Sequence, residues 1–274
     1  MPELPEVEVI VRQLRQAGHI LNNTIRQISF YRPQRWIGIT VADVSGHLIG
    51  RHFTEITRRA KYIILTLDNH SQLIIHLRMT GKLLWSARCA AINSYTREIF
   101  HFEDGSSLQF NDSRTLGKLY FVRAGAVLPE IEKSGIEPLS TDFSKEKLHQ
   151  LITACNLEIK DFLLNQTKIA GIGNIYASEI CFRCGIHPKR RTRHLTDVEI
   201  DTLFKHVPDI LQQSIDHNGT TVYDFRNAEN KRGEFQKLLE VYGRRGKRCL
   251  RCGTPIVRII QKQRSTYFCP QCQK

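Results

Sequence analysis

Three scarcities narrow the field before any motif is considered. The 274-residue chain has no apolar run of about 18 residues, so no transmembrane helix is expected. Its first residues are acidic rather than basic, so no signal peptide is expected. Acidic residues are also short, with 27 Asp and Glu against 40 Lys and Arg, a formal net charge of +13 and a pI near 9.5. The deficit is local. Residues 230–274 hold twelve Lys or Arg and two acids, so ten of the thirteen excess charges lie there. Such asymmetry points to a nucleic acid or an anionic membrane as partner. No internal repeat and no low-complexity segment is present. The expected location is the cytoplasm, where cysteines stay reduced.

Among the eight cysteines, four stand out. Cys249-x2-Cys252 and Cys269-x2-Cys272 are two knuckles separated by sixteen residues, and four thiolates at this spacing can close a tetrahedral zinc site. A ribbon this short needs its metal to fold. Between the knuckles, Gln261 to Thr266 read as a polar hairpin tip carrying Arg264, a natural probe for phosphate. Cys181-x2-Cys184 with His187 nearby has no second pair, so a structural role is expected there, as for Cys89 and Cys155.

At the other end, Met1-Pro2-Glu3-Leu4-Pro5-Glu6 offers chemistry. Removal of Met1 leaves a free secondary amine on Pro2. An α-amino group has a pKa of roughly 7.7–8.0, so a useful fraction is unprotonated at neutral pH. Such an amine forms a Schiff base with a carbon of aldehyde character. Glu3 and Glu6 supply carboxylates nearby. The same start also suits a plain helix opened by proline.

The length suits two medium domains, or one with attachments. Pro5 to Gly18 reads as an opening helix with Val7, Ile10, Val11 and Leu14 on one face. From Ile25 to Val122 the period is two. Residues 62–67 and 73–77 read as buried strands, and residues 100–102 and 108–110 as a hairpin around Asp104-Gly105. This half is expected to be a β-sandwich or barrel carrying a helix, followed by a linker with Pro129 and Pro138. Beyond Ser144 the pattern is helical: 145–155, 158–164, 174–183, and a helix opened by the Thr196–Glu199 capping box and reaching about His217. Pro208 is expected to kink or split that last helix. Residues 219–233 read as a mobile loop. Gly171-Ile172-Gly173-Asn174 opens a helix whose N-terminus favours an anion, although a plain interhelical turn reads the same way.

Together these stretches resemble the bacterial formamidopyrimidine-DNA glycosylases of the formamidopyrimidine/endonuclease VIII family. The resemblance rests on Pro2-Glu3-Leu4-Pro5-Glu6-Val7-Glu8, Arg58-Arg59-Ala60-Lys61-Tyr62, residues 76–81, residues 171–179 and Gln263-Arg264-Ser265-Thr266-Tyr267-Phe268-Cys269. It implies an α+β multidomain fold: a catalytic β-sandwich with its opening helix (1–128), a linker (129–143), a helix-two-turns-helix domain (144–243, with a lesion-covering loop at 219–233) and a zinc finger (244–274). The implied function is base-excision repair of oxidised purines, 8-oxoguanine and formamidopyrimidines, in damaged double-stranded DNA. A Schiff-base glycosylase with β,δ-elimination abasic-site lyase activity would do this, as a monomer associated with the bacterial nucleoid, with one zinc ion on Cys249, Cys252, Cys269 and Cys272.

The resemblance also implies roles. Pro2 attacks C1′, Glu3 shuttles protons at the sugar, Lys61 serves β-elimination, and Arg264 grips the phosphate beside the lesion and supports δ-elimination. Met79, Tyr95, Arg114, Leu116, Lys160 and Asn174 are the implied DNA contacts: Met79 fills the space of the flipped base and Arg114 faces the orphaned cytosine. The chain departs from the family where Asp-Pro-Arg-Arg-Phe-Gly becomes Asp112-Ser113-Arg114-Thr115-Leu116-Gly117, putting leucine in place of the phenylalanine wedge. Apolar wedges need not be aromatic, but core packing of Leu116 is the competing reading. Tyr95 stands where histidine is usual, and Asn156 lies near a frequent lysine. Two other readings share these residues: an endonuclease VIII-type enzyme for oxidised pyrimidines, and a non-catalytic zinc protein that binds DNA.

Overall fold

A computed structural model describes the chain except residues 17–19, 33–35, 89–90 and 223, so Gly18 as a helix stop and the role of Cys89 lie outside the described residues. Contacts divide it into two compact units, one of Met1–Glu132 with His217–Glu234, the other of Lys133–Asp216 with Phe235–Lys274.

The first unit opens with α1 (Leu4–Gln16), which buries Val7, Ile10, Val11 and Leu14. Two sheets follow. One runs β1 (Ile25–Phe30), β7 (Thr96–Phe102), β8 (Ser107–Asp112), β6 (Gly81–Ser86). The other runs β2 (Trp36–Ile37), β9 (Lys118–Val122), β5 (Gln72–His76), β4 (Tyr62–Leu67), β3 (Phe53–Arg59). All neighbours are antiparallel except β2 with β9. Ile28, Leu83, Phe100, Phe102, Leu108 and Phe110 from one sheet share a core with Ile63, Leu65, Leu73, Ile75 and Leu119 from the other, which makes the β-sandwich. The β7–β8 hairpin turns as expected, with Phe100 opposite Leu108. β8 is buried on both faces, and Gln109 on the non-core side donates to Thr96 Oγ1 (2.6 Å), which satisfies its buried amide.

Two features of this unit depart from expectation. A helix, α2 (Val41–Leu48), interrupts the strands, with Thr40 as its N-cap accepting from the Asp43 amide. Residues 217–234 pack with the sandwich unit rather than the helical one. They are not a free loop: Glu6 Oε1 accepts the Thr220 amide (2.7 Å), Gln13 Oε1 accepts the Ala228 amide (3.0 Å), and Thr220, Thr221, Asn227 and Ala228 are buried.

The supposed linker contains a short helix, α3 (Pro129–Glu132). The second unit then builds α4 (Lys145–Thr153), α5 (Ile159–Leu164), α6 (Asn174–Arg183) and α7 (Asp197–Asp216). Thr196 and Glu199 exchange the reciprocal bonds of a capping box. Pro208 does not split α7. Proline removes one helical hydrogen bond, while Leu203, Val207, Ile210 and Leu211 stay buried on both sides of it and hold the helix in place. The chain ends in the hairpin of β10 (Val257–Gln261) and β11 (Arg264–Phe268).

Candidate functional site

The proposed site residues fall into two sets, one on each unit. In the first, Pro2 and Glu3 lie directly before α1; both are buried, while Met1 is exposed. Glu6 Oε2 accepts the Glu3 amide (2.8 Å) and fixes the start of the helix. Lys61 sits in the two-residue turn between β3 and β4, 6 % exposed. That turn is tied to α1 by one arginine: Arg58 Nε donates to Glu8 Oε2 (2.8 Å) and Arg58 Nη1 to the Ala60 carbonyl (3.0 Å). Burial works to raise the Glu8 carboxyl, but hydrogen bonds from Arg58 and Arg12 outweigh it and hold Glu8 below its ordinary range. Lys61 is thereby held on the turn that Arg58 and Glu8 tie to α1, the helix that follows Pro2 and Glu3.

His76, at the end of β5, is the buried imidazole of this neighbourhood. Desolvation, then the charges of Arg78 and Lys61, push its pKa down to about 3. It is neutral, its ring meets Tyr62 edge-on (4.7 Å), and its Nδ1 accepts the Arg78 amide (3.0 Å). Its role was not foreseen, because an isolated histidine in a strand carries no local signal of its partners.

The expected DNA probes lie on the connections after β5 and after β8, side by side because β6 pairs with β8 in a register that places Gly81 opposite Asp112. Met79 (45 % exposed), Arg114 and Leu116 (42 %) all face solvent, and so does Tyr95, whose carbonyl accepts the Asp112 amide (2.9 Å). Core packing of Leu116 is thereby excluded.

In the second unit, Gly173 caps α6 and Asn174 is its first residue; Gly171 takes φ +83°, the left-handed region where glycine is favoured. Asn174 Nδ2 donates to the Ser265 carbonyl (2.9 Å), which places it against the strand that begins with Arg264. Lys160, expected to contact DNA, lies inside the unit in the free chain. It is 1 % exposed, and its ammonium donates to Asn174 Oδ1 (2.7 Å), Thr266 Oγ1 (2.7 Å) and the Ser265 carbonyl (3.2 Å). Lysine has three donors, and these bonds organise Asn174 and β11 from within. Arg264 is exposed but does not occupy the hairpin tip: Lys262 and Gln263 form the turn, both at positive φ, and Arg264 pairs with Gln261 as the first residue of β11.

Backbone geometry adds a pattern. Nine non-glycine residues among those described have positive φ, and Ala60, Arg78, Thr115 and Gln263 immediately precede Lys61, Met79, Leu116 and Arg264. Left-handed backbone costs a non-glycine residue roughly 1–2 kcal/mol. Such cost concentrates where surrounding structure holds a functional side chain in a set direction.

Cys249, Cys252, Cys269 and Cys272 form a site for one zinc ion. Their Sγ atoms all lie within 4.8 Å of one another, with Cys249–Cys272 at 3.9 Å and Cys252–Cys269 at 3.4 Å. Tetrahedral zinc at about 2.3 Å from each sulfur requires sulfurs about 3.8 Å apart. The Arg251 amide points at Cys249 Sγ and the Cys272 amide at Cys269 Sγ, both at 3.4 Å, as suits thiolates. Among the described residues no second group of ligands comes together. Cys181 is buried, and desolvation pushes it up to about 12, which suits a packing role. Desolvation also raises Cys184, and His187 packs edge-on against Phe268.

Three families match successive parts of the chain. They are the formamidopyrimidine-DNA glycosylase N-terminal domain over residues 1–119, the formamidopyrimidine-DNA glycosylase H2TH domain over 134–226, and a zinc finger found in FPG and IleRS over 246–274. A formamidopyrimidine-DNA glycosylase of Carboxydothermus hydrogenoformans is 40% identical over 274 residues, covering 100% of both chains. Among solved structures, a Lactococcus lactis FPG variant in complex with DNA containing Fapy-dG has a TM-score of 0.91 at 33% identity, covering 100% of both chains. The Lactococcus lactis Fpg complex with DNA containing an abasic site has a TM-score of 0.91 at 32% identity, covering 99% of each.

Proposed function

The chain belongs to the formamidopyrimidine-DNA glycosylase family, and we propose that it excises oxidised purines, 8-oxoguanine and formamidopyrimidines, from damaged duplex DNA and then cuts the strand at the resulting abasic site. The observation that carries this reading is that buried Pro2 and Glu3, directly before α1, and buried Lys61, in the β3–β4 turn, belong to one unit in which Arg58 ties that turn to α1 through Glu8. That unit carries an amine, a carboxylate and an ammonium.

Loss of Met1 frees the Pro2 nitrogen. Its lone pair attacks C1′ of the damaged nucleotide, the C1′–base bond breaks, and the base leaves with the bonding electrons and a proton. Opening of the sugar ring gives an iminium between Pro2 and C1′, with Glu3 moving the proton to the ring oxygen. The iminium acidifies the C2′ protons. Loss of one, assisted by Lys61, expels the 3′ phosphate, and a second elimination expels the 5′ phosphate. Arg264 and Asn174 supply donors for phosphate, a class of contact that positions DNA without reading its sequence. The zinc ion, when bound by its four cysteines, closes the ribbon that presents Arg264.

Extrusion is required because C1′ chemistry on a stacked nucleotide is inaccessible, and it costs a few kcal/mol. Met79 and Leu116 are the apolar residues that offset it, and Arg114 carries donors for the O2 and N3 acceptors of an unpaired cytosine. Residues 224–233 would cover the extruded base. The acting species in this reading is a monomer at the bacterial nucleoid, in the cytoplasm, since one chain carries every residue invoked. No helix of the described residues is long and apolar enough to cross a membrane.

Borohydride trapping tests the proposal. Reduction of the iminium should fix the enzyme covalently to 8-oxoguanine duplex. Pro2→Gly should lose most of the trapping, and protein with Met1 retained should trap nothing. Undiminished trapping with Met1 retained would refute the Pro2 assignment. Release of oxidised pyrimidines alone would favour the endonuclease VIII reading.

A further inference from the structure

Met79, Arg114 and Leu116 are carried by two separate connections, yet a probe that enters a base stack must not yield. The structure shows what joins them. Thr80 Oγ1 donates to Asp112 Oδ1 (2.5 Å) and accepts the Arg114 amide (3.2 Å), so one hydroxyl spans both connections. Asp112 is fully buried; its Oδ1 also accepts the Arg114 amide (3.2 Å) and its Oδ2 accepts the Gly117 amide (2.7 Å), gripping both ends of the Arg114–Leu116 segment. Its carbonyl is held by the buried Arg97 guanidinium and its amide by the Tyr95 carbonyl. On the other connection, His76 Nδ1 holds the Arg78 amide and the Gly81 amide reaches the Leu77 carbonyl (2.9 Å). Both connections close on a tightly packed glycine: a Cβ on Gly81 would meet the Leu77 carbonyl oxygen at 2.5 Å, and one on Gly117 would meet Phe110 Cζ at 2.7 Å.

We propose that Thr80 and Asp112 are positioning residues that clamp the two connections into one rigid probe, so that Met79, Leu116 and Arg114 engage the duplex together. The inference rests on the proposed glycosylase reading for its consequence, but not for the clamp. Thr80 is 8 % exposed and buried beneath the exposed probes, so it acts through Met79 and Arg114. Met79 and Leu116 are 45 % and 42 % exposed and carry no group that could fix their direction by hydrogen bonding, Met79 having only a weak acceptor sulfur. Their aim comes from the backbone at Arg78 and Thr115, both at φ +52°, and the clamp keeps that uncommon backbone from relaxing. Without it, Arg114 and Met79 would move independently, and both extrusion and discrimination of the opposite base would suffer.

Thr80→Val removes the hydroxyl and keeps the shape, whereas Thr80→Ser keeps the hydroxyl. Amide hydrogen exchange on the free protein tests the clamp without reference to activity. The Arg114 and Gly117 amides should exchange faster in Thr80→Val and at the parent rate in Thr80→Ser, with the core of the sandwich unchanged. Single-turnover assays on zinc-loaded protein test the consequence. In Thr80→Val, 8-oxoguanine release opposite cytosine should fall roughly tenfold, which corresponds to about 1.4 kcal/mol, and the preference for cytosine over adenine opposite the lesion should narrow. Cleavage at a preformed abasic site should be spared, and Thr80→Ser should restore both readouts. Unchanged exchange in Thr80→Val would overturn the clamp. Faster exchange with unchanged release and opposite-base preference would overturn its role in probing. Failure of the parent to release any oxidised purine would instead overturn the glycosylase reading, with the exchange result still deciding the clamp.

Discussion

His76 should make the sandwich unit sensitive to mild acid, and the size of the effect follows from its surroundings. The imidazole is 6 % exposed, with Arg78, Lys61 and Lys118 as its charged neighbours and Tyr62 against its ring. All three neighbouring charges are positive, so they add to desolvation in lowering its pKa from 6.5 to about 3. In the unfolded chain the same group binds its proton near pH 6.5. A depressed folded pKa means that its contribution to stability is present above the unfolded value. That contribution is lost as the pH falls from 6.5 towards 3, where the unfolded state binds the proton first. Linkage then gives a loss on the order of 1–2 kcal/mol between pH 7.5 and pH 5.5, nearly all of it below pH 7. His76→Asn is the natural control: the amide oxygen can still accept from Arg78 but does not titrate. The constant cost of the lost ring cancels when slopes with pH are compared. Urea unfolding followed by tryptophan fluorescence suits the measurement, because both tryptophans, Trp36 and Trp85, lie in the sandwich unit. Zinc should be kept saturating so that the ribbon does not contribute. Parent stability should fall by roughly 1–2 kcal/mol more than that of the variant over the interval. Parallel pH profiles would refute the assignment of a buried neutral imidazole.

Two further substitutions probe the wedge and the metal. Leu116→Phe should leave unfolding unchanged, because Leu116 is 42 % exposed, whereas overpacking a core would cost roughly 1–3 kcal/mol. Leu116→Ala should slow base release from duplex but spare cleavage at a preformed abasic site; paired nicking assays decide this, and an equal loss on both substrates would refute the wedge. Cys252→Ser should lower zinc content and DNA affinity together, while Cys184→Ser should spare both. Metal analysis and a binding titration measure this, and full zinc occupancy in Cys252→Ser would remove it from the ligand set.

The parts of the fold legible in the sequence are those whose signal is local. Val7, Ile10, Val11 and Leu14 repeat at helical spacing, and α1 buries them. The capping box at Thr196 and the paired knuckles likewise declare themselves within a few residues. What stayed hidden depends on partners far away in the chain. Residues 217–234 look like a polar loop because nothing nearby shows that Glu6 and Gln13, more than 200 residues earlier, accept their amides. α2 is short, carries Gly46 in its interior and lies among strands, so the surrounding period of two hides it in the sequence.

Lys160 is the sharpest case. A lysine on a short helix in a basic protein suggests a surface charge, and family resemblance made it a DNA contact. Three acceptors bury it instead: one is 14 residues away on α6, and two are more than 100 residues away on β11. A buried ammonium is tolerated only when its donors are satisfied. Its effect on DNA binding would therefore pass through Asn174 and β11, just as the effect of Thr80 passes through Met79 and Arg114. In both units the side chains proposed to meet DNA are identifiable by chemical type. The residues that aim them are buried and polar, and only the fold reveals their partners.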